Sequence, residues 1–387
     1  MKTTCKIFTI TTILFSLYIQ SALCQSDYSQ EGINNSRQSA ITRAIARATG
    51  AIVGINVTET YKVEYRDPFN DFFDNSPFMN DPQFRQYFQQ FHKPQVQEYD
   101  VKSLGSGYIV SPDGYILTNH HVAGNASKVI ITMTNGEKFD AEIIGSDMVS
   151  DVALLKIKGD NFPYLLLGNS DDILIGEWAI ALGNPFGLFN INAKPTVTVG
   201  VVSNSGVNFM QENRIYRGMI QTDAAISSGN SGGPLLNSAG EVIGMNTVIF
   251  STAQSQQGAG SIGIGFAIPV NRVRMIMEKL KAHKKIERNP QVGLKVAEID
   301  DRVSKNFKIP KRDGVIVVSV LRGSQAEKAG IEPGDIILEI DDLKIMRNDD
   351  YLISIGDALL GQKINMIILR DDKKIKLQLM VKSTKEK

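Results

Sequence analysis

The chain carries a serine between glycines in the sequence Gly229-Asn230-Ser231-Gly232-Gly233-Pro234. Because glycine has no side chain, backbone N–H groups can crowd around the Ser231 hydroxyl, which is how an acyl-transfer nucleophile is presented. Such a hydroxyl needs a general base, and the base needs an acid that orients it. The stretch therefore predicts a histidine and a carboxylate elsewhere in the chain.

Four histidines make the search for the base short: His92, His120, His121 and His283. His92 lies in an aromatic-rich segment, and His283 lies at the end of a predicted helix. His120 and His121 instead follow a predicted strand that runs into a turn, and a strand end holds an imidazole rigidly. The residues alone leave both of these histidines as candidates.

Asp151 is the candidate acid. It directly precedes the apolar run Val152-Ala153-Leu154-Leu155, so its carboxylate stands at the mouth of a predicted strand, where an imidazole N–H can pair with it. Aspartate is also common in ordinary turns, and Asp151 taken alone fits that role. The chain order histidine, aspartate, serine favours the catalytic interpretation.

Short β-branched runs separated by Gly, Asn and Asp turns dominate residues 51–270 and predict an all-β barrel or sandwich with little helix. The predicted strands are 51–57, 128–133, 141–144, 152–157, 178–182, 196–202 and 241–248. A short helix over 37–49, stopped by Gly50, precedes them.

An aromatic-rich insertion at residues 65–97 interrupts this pattern. Phe84, Tyr87, Phe88 and Phe91 have the spacing of one helical stripe. The insertion either folds onto its own barrel or reaches into a neighbouring subunit, and the sequence supports both equally.

A second, smaller domain follows the strand-rich region. Asn271 is predicted to cap a helix with Val273, Ile276, Met277 and Leu280 on its apolar face. Residues 284–290 are predicted to be a linker, because Asn289-Pro290 ends any helix. Residues 291–387 form an α+β module with strands at 315–320, 335–340, 363–370 and 374–381 and a helix near 349–360.

Residues 1–24 are predicted to be an export signal, and residues 25–50 an N-terminal helical segment. Lysines precede an apolar run over residues 7–19, and Ala22-Leu23-Cys24 offers a cleavage point. A lipoprotein modified at Cys24 is a weaker alternative because Leu23 is large, and an uncleaved membrane anchor is another. Both cysteines, Cys5 and Cys24, lie in this signal, so the mature chain has no thiol for a disulfide or for covalent catalysis.

The charge of the chain is nearly balanced and gives no sign of a strongly charged partner. The chain has 387 residues, with 42 Lys plus Arg against 41 Asp plus Glu, for a formal charge of +1. Without a block of like charge, nothing indicates a nucleic acid or an anionic membrane as partner.

Three motifs together are similar to the HtrA/Deg family of trypsin-like serine proteases. They are Leu117-Thr118-Asn119-His120-His121-Val122, Ser150-Asp151-Val152-Ala153-Leu154 and Gly229-Asn230-Ser231-Gly232-Gly233. The resemblance covers nearly all of the chain after the signal. It implies a mainly β fold, with a chymotrypsin-like double β-barrel protease domain over residues 51–283.

The family pattern implies a role for each site residue. His121 is the base and His120 its variable neighbour, Asp151 orients His121, and Ser231 attacks the peptide bond. The backbone N–H groups of Gly229 and Ser231 form the oxyanion hole. The family also implies a homotrimer or a multiple of trimers, and no metal or cofactor.

Two positions bear on activation and specificity. Asn230 stands where digestive trypsin-like enzymes have aspartate, so activation by cleavage before Ile52 is not expected. By resemblance, Phe250 lies in the primary specificity pocket and makes it shallower, which favours cleavage after Val, Ala or Ile.

Residues 291–387 resemble a PDZ domain of the permuted kind that these proteases carry. The likeness rests on Ser324-Gln325-Ala326-Glu327-Lys328-Ala329-Gly330-Ile331 followed by Glu332-Pro333-Gly334-Asp335, with Gln325 replacing the more usual proline. It implies that Val292, Gly293 and Leu294 capture a C-terminal carboxylate while the peptide adds as a strand beside them. An unrelated α+β domain with a Gly-Asp turn is the alternative.

The resemblance implies an exported, periplasmic, ATP-independent serine endopeptidase that degrades unfolded or misfolded envelope proteins and binds C-terminal peptides through its PDZ domain. A regulatory protease that cuts one defined partner is the nearer alternative. A non-proteolytic chaperone or PDZ scaffold is the more distant one. No stable membrane span is expected after signal cleavage.

Overall fold

The computed structural model describes residues 37–65, 95–184, 194–211, 214–227, 229–249, 254–255, 258–259, 263–288, 292–307, 313–341 and 343–382. The predicted export signal, most of the aromatic insertion and Phe250 lie outside these ranges. Within them, no helix is long and apolar enough to cross a membrane.

Six antiparallel strands close a first barrel. They are β1 (Ile52–Tyr65), β2 (Gln95–Ile109), β3 (Tyr115–Thr118), β4 (Lys128–Met133), β5 (Lys138–Asp147) and β6 (Val152–Ile157). Their order around the barrel is β1-β2-β3-β6-β5-β4. Aliphatic side chains such as Ile55, Ile116, Ile131 and Leu154 fill the interior, because branched residues pack well on the pleated surface of a sheet.

A second barrel is built in the same way. Its part of the chain contains β7 (Trp178–Gly183), β8 (Thr196–Gln211), β9 (Arg214–Thr222), β10 (Pro234–Leu236), β11 (Val242–Ile249), the small pair β12 (Gln254–Ser255) and β13 (Gly258–Ala259), and β14 (Gly265–Pro269). The barrel order is β10-β11-β14-β9-β8-β7, with β12 and β13 paired separately. Residues of both barrels share one apolar cluster, so the two barrels pack as a unit.

The double barrel confirms the predicted fold class. Strands 128–133 and 152–157 have the predicted bounds, whereas β5 and β8 extend beyond the predicted 141–144 and 196–202. In β8 the extension includes the exposed residues Asn204, Ser205 and Gly206 and pairs with β9 through register shifts. Such a polar, bulged stretch has no hydrophobic alternation from which a strand could be predicted.

Among the described residues, two short α-helices lie in the barrel region and just before it. Helix α1 (Ala40–Ala48) begins after Ser39, whose side chain accepts a hydrogen bond from the Thr42 N–H at 3.3 Å. This agrees with the helix predicted over 37–49. Helix α2 (His120–Ala123) is a single turn after β3.

Helix α3 (Val270–His283) buries the predicted apolar face, but Asn271 does not cap it. The residue at the N-cap is Pro269, and the Asn271 amide donates instead to Asn169 Oδ1 at 2.6 Å. The prediction of the cap was wrong because β14 runs directly into the helix, and the fixed φ of proline suits a helix start.

The second domain has its own sheet and core. The strands are β15 (Leu294–Glu298), β16 (Val315–Val320), β17 (Ile336–Ile340), β18 (Leu343–Lys344), β19 (Lys363–Arg370) and β20 (Lys373–Met380), in the order β15-β16-β17-β19-β20 with β18 beside β17. The helices are α4 (Asp301–Phe307), α5 (Gln325–Lys328) and α6 (Asn348–Gly356). Helix α6 ends four residues before the predicted 360, and α4 and α5 were not predicted.

An ionic cluster of Asp357, Arg272, Arg288 and Asp147 joins the second domain to the barrels. Asp357, at the C-cap of α6, accepts from Arg272 of α3 at 2.6 and 2.7 Å and from Arg288 at 2.7 Å. Arg288 also donates to Asp147 at the end of β5, at 2.7 and 3.2 Å. Burial alone would raise the pKa of Asp357, but the hydrogen bonds and charges of Arg272 and Arg288 hold it at about 2.

We expect Asp357→Ala to lower the free energy of unfolding by about 3–5 kcal/mol, because it leaves Arg272 buried without its carboxylate. Urea unfolding of the whole chain at pH 7 measures the loss, with the exposed Asp349→Ala of the same helix as control. Because the pKa of Asp357 is depressed, its contribution is complete above its ordinary value of 3.8 and is lost as the pH falls toward 2. Equal losses in the two variants would contradict this account.

Candidate active site

The predicted catalytic residues come from both barrels. His121 lies in α2, directly after β3, and Asp151 lies in the turn between β5 and β6, so the first barrel holds both. Ser231 lies in the loop before β10 of the second barrel. The barrels meet here, because the Ser106 N–H of β2 donates to the Ser231 carbonyl at 3.1 Å.

His121 and Asp151 are hydrogen-bonded as the sequence predicts. The imidazole Nδ1 lies 2.8 Å from Asp151 Oδ2 and 3.0 Å from Oδ1, and the His121 backbone N–H donates to Oδ1 at 3.0 Å. A carboxylate at Nδ1 favours the tautomer with its proton on that nitrogen, which leaves Nε2 as the basic atom. The His121 side chain is 29% exposed and Asp151 is fully buried, so the imidazole is open to solvent on one side while its carboxylate partner has no contact with solvent.

Donors from several segments surround the Asp151 carboxylate. The Thr247 hydroxyl donates to Oδ2 at 2.6 Å, the Tyr216 hydroxyl lies 3.5 Å from the same atom, and Arg214 Nε lies 3.8 Å from Oδ1. Burial alone would raise the pKa of Asp151, but the hydrogen bond and charge of His121, with the Thr247 hydroxyl and the Arg214 charge, bring it below the ordinary value. The Asp151 carboxylate is therefore ionised at neutral pH and can pair with the His121 imidazole.

The Asp151 backbone adopts a left-handed conformation, with φ of +57°. This region is unusual for residues other than glycine, although aspartate tolerates it better than most. The Asn119 amide, one residue before α2, donates to the Asp151 carbonyl at 2.9 Å. This bond stabilises the turn in the conformation that points the carboxylate at His121.

The Ser231 hydroxyl is not bonded to His121. It donates to the Thr247 carbonyl at 3.0 Å, and the residue is 5% exposed. The structure thus brings His121 and Asp151 together and places Ser231 beside their partner Thr247. For the predicted transfer of its proton to His121, the hydroxyl would first have to leave this carbonyl, and catalytic hydrogen bonds often form only when substrate is bound.

The glycines around Ser231 are required by close packing. Gly232 has φ of +82°, and a Cβ there would run into the Ser106 carbonyl and the Thr118 hydroxyl. The Gly232 N–H is used by the Asn246 carbonyl at 2.9 Å. In contrast, the N–H groups of Gly229 and Ser231 donate to no partner within the described ranges. They are the two donors that the family resemblance predicts for an oxyanion hole.

Sequence reasoning missed Thr247 and Tyr216. Both lie in ordinary β-strands, and Thr247 is 96 residues from Asp151 in the chain. Nothing in β11 distinguishes this threonine from another β-branched strand residue, so no sequence signal could have identified it. Phe250, the predicted specificity residue, lies outside the described ranges.

The β8–β9 hairpin contacts both the Asp151 turn and the second domain. The Ile215 N–H donates to the Val149 carbonyl at 2.8 Å, and its neighbour Tyr216 reaches Asp151. Ile215 also packs on α6, where a Cβ at Gly356 would lie 2.5 Å from its Cδ1. Ile215 therefore contacts both α6 and the turn that contains Asp151.

Val292, Gly293 and Leu294 form a loop that runs into β15, an edge strand of the second sheet. Gly293 has φ of +83°, and a Cβ there would lie 2.6 Å from Ser324 Oγ. The carbonyls of Val292 and Gly293 accept hydrogen bonds from Ala326 and Leu321, at 3.0 and 2.8 Å. The loop is thus held against α5, next to an open strand edge.

Comparisons with known proteins match both domains. Residues 105–245 match the trypsin-like peptidase domain, and residues 274–381 match the PDZ domain. The chain is 38% identical to a DegP-like periplasmic serine endoprotease of Chlamydia trachomatis, over 92% of this chain and 70% of that relative. The chain belongs to the HtrA/DegP family of serine endoproteases.

Further members of the HtrA/DegP family show the same relationship. The chain is 37% identical to the serine protease HhoA of Synechocystis, over 90% of this chain and 85% of the relative. The solved HtrA-type protease AlgW with a bound decapeptide is 34% identical, with a TM-score of 0.62 over 88% of this chain and 98% of that one. The protein is a trypsin-like serine endopeptidase with a PDZ domain.

We expect Thr247→Val to lower kcat by about 10–100-fold, because a hydrogen bond to a charged group contributes about 1.5–3 kcal/mol and each 1.4 kcal/mol is tenfold in rate. Thr247→Ser keeps the hydroxyl and should retain most of the activity. Steady-state hydrolysis of a quenched fluorogenic peptide measures both variants. Equal rates for valine and serine would show that the hydroxyl on Asp151 is not needed.

Proposed function

We propose that Asp151, His121 and Ser231 form the catalytic triad of this endopeptidase. The observation that carries the proposal is the hydrogen bond between the fully buried Asp151 and His121, beside a serine in a glycine-lined loop. Asp151 orients the imidazole and stabilises its protonated form, while Nε2 accepts the proton of Ser231.

The reaction is acyl transfer in two halves. As Nε2 of His121 takes the hydroxyl proton, Ser231 Oγ attacks the carbonyl carbon of the substrate, and the N–H groups of Gly229 and Ser231 hold the resulting oxyanion. The imidazolium then gives its proton to the leaving amine, and the peptide bond breaks. Water, deprotonated by the same histidine, attacks the acyl-enzyme and releases Ser231.

The bond between Ser231 and the Thr247 carbonyl supports control of this site by a change of conformation. The hydroxyl has to exchange partners before it can react, and order–disorder changes of loops are a common form of such control. The β8–β9 hairpin and the ionic cluster connect the PDZ domain to the Asp151 turn. This connection favours a second candidate function, a regulatory protease that cuts a defined partner.

For the principal function, we infer that the substrates are unfolded or misfolded envelope proteins, cut without ATP. The export signal predicted from the sequence and a relative named as a periplasmic endoprotease support a periplasmic location. We infer a homotrimer or a multiple of trimers from the family resemblance. The peptide bound to AlgW supports peptide ligands for this chain too.

Ser231→Ala should reduce turnover of casein by about 10⁴–10⁶-fold, the scale found when a triad member is removed from subtilisin. The variant should fold normally and should not react with a fluorophosphonate probe, because the nucleophilic oxygen is gone. Gel analysis of casein and mass spectrometry of the labelled protein are the measurements.

Ser238→Ala is the matched control, since Ser238 is an exposed serine in the same part of the chain. It should keep full activity and probe labelling at Ser231. Casein hydrolysis by Ser231→Ala at the parental rate would refute the triad. A folded parent that suppresses aggregation but neither labels nor cuts would favour the chaperone or scaffold alternative.

Peptides with a free apolar C-terminus should bind beside β15, with the carboxylate at the N–H groups of Gly293 and Leu294. We expect amidation of that terminus to weaken binding at least tenfold, because it removes charge-assisted hydrogen bonds. Fluorescence anisotropy with a labelled decapeptide and Ser231→Ala protein measures this without cleavage. Equal affinity for acid and amide would place recognition elsewhere.

A further inference from the structure

His120 is a second imidazole next to the candidate base, and the triad does not use it. It is the first residue of α2 and is buried, at 9% exposure. Its Nδ1 lies 3.1 Å from the Ser146 hydroxyl of β5. The burial of His120, with the Ser146 hydroxyl as a hydrogen-bonding partner, needs an explanation in the packing around the ring.

The His120 ring packs against Gly124, where the lack of a side chain makes room for it. A Cβ at Gly124 would lie 2.5 Å from His120 Cε1 and closer still to Nδ1. Gly124 itself has φ of −64°, which any residue can adopt. The backbone therefore does not require glycine at this position, and the missing side chain instead leaves room for the imidazole at the end of α2.

The contact of His120 with Ser146 connects the two segments that carry the catalytic pair. Ser146 pairs with Ala153 across β5 and β6, and the turn between these strands contains Asp151. Helix α2 carries His121. The contact therefore joins α2, which carries His121, to β5, which leads into the turn with Asp151. It is a second link between these segments, in addition to the 2.8 Å bond between His121 and Asp151.

Four charged or titratable groups of the described residues act on His120 electrostatically. Asp151 lies in the turn between β5 and β6, Asp147 at the end of β5, Arg214 on β9, and His121 on the same helix. Burial lowers the pKa of His120, with the charges of Arg214 and His121 acting in the same direction and the two carboxylates opposing them. The neutral ring is the form that the fold accommodates.

We propose that His120 is a positioning residue for His121. In its neutral form it sits against Gly124 and Ser146 and holds α2 so that His121 meets Asp151. In its protonated form it places a second positive charge beside the imidazolium that His121 becomes during turnover, and like charges disfavour each other. This inference rests on the proposed triad and belongs to this chain, since the family resemblance makes position 120 variable.

Two substitutions at position 120 separate the hydrogen bond from the volume. His120→Asn keeps a hydrogen-bonding group near the place of Nδ1 and cannot become charged, whereas His120→Leu fills the space alone. At pH 8 we expect the asparagine variant to keep kcat within about threefold and the leucine variant to lose about 10–100-fold, with KM within about twofold, because small misplacements of catalytic groups cost rates of that size.

The dependence of log kcat on pH separates the two roles, because it would not change if His120 only filled space. Between pH 4 and 9, the acid limb of log kcat for the parent should become steeper than one proton at its low-pH end, because the lowered pKa of His120 delays its protonation and protonation of either histidine stops turnover. His120→Asn should reduce that limb to a slope of about one. If both variants match the parent in kcat and in slope, the inference is overturned.

A double-mutant cycle covers the case in which His120→Leu fails to fold. Gly124→Ala should lower kcat in the parent, because its methyl displaces the ring, but should have little further effect in a His120→Ala background. Additive losses would contradict the inference.

The inference and the proposed function can fail separately. A parent that turns over while the variants behave like it overturns only the role of His120. If the parent does not turn over, the proposed function fails, and a crystal structure of His120→Asn and of His120→Ala decides the positioning role. A separation of His121 Nδ1 from Asp151 Oδ2 beyond about 3.5 Å in the alanine variant alone supports it, and an unchanged 2.8 Å overturns it.

Discussion

The buried charge of Asp151 is the constraint on which the geometry of the candidate active site depends. The side chain has no exposed surface, and an ionised carboxylate in the interior costs several kcal/mol unless donors and opposite charges replace its water. Those groups come from α2, β9 and β11, which are His121, Arg214 and Thr247. The charge is stable only when these three segments are in place, so satisfying it also positions the imidazole.

Both ends of the turn that carries Asp151 are held by charged groups. At one end, Asp147 accepts from Arg288, which also bonds to Asp357 of the PDZ domain. At the other, Asp151 is bonded to His121. The turn is thus held at one end by a buried ion pair and at the other by a hydrogen bond to a buried carboxylate, and moving either end leaves a buried charge without its partner. Through Arg288, the PDZ domain is in direct contact with the strand that leads into this turn.

Much of the site and the barrels follows from local sequence. The Gly229–Ser231 stretch, the aspartate before an apolar strand and the histidine pair after another strand each report a local backbone requirement, and the strands at 128–133 and 152–157 follow from β-branched runs. Other elements do not. The polar extension of β8 is a strand only because β9 lies beside it, and the start of α3 is set by Pro269 rather than Asn271.

The amino-acid sequence by itself determined the β architecture and the PDZ domain of this serine endopeptidase, and it predicts Ser231, Asp151 and a histidine of the 120–121 pair as its catalytic residues, because short motifs and residue periodicity record these features within a few positions. The tertiary structure alone decided that Ser231 rests on the Thr247 carbonyl, that the Thr247 hydroxyl supports Asp151, and that Arg288 joins Asp147 to Asp357. The physical reason is chain separation. Arg288 and Asp147 are 141 residues apart, and such contacts depend on the packing of whole domains, which no local pattern encodes.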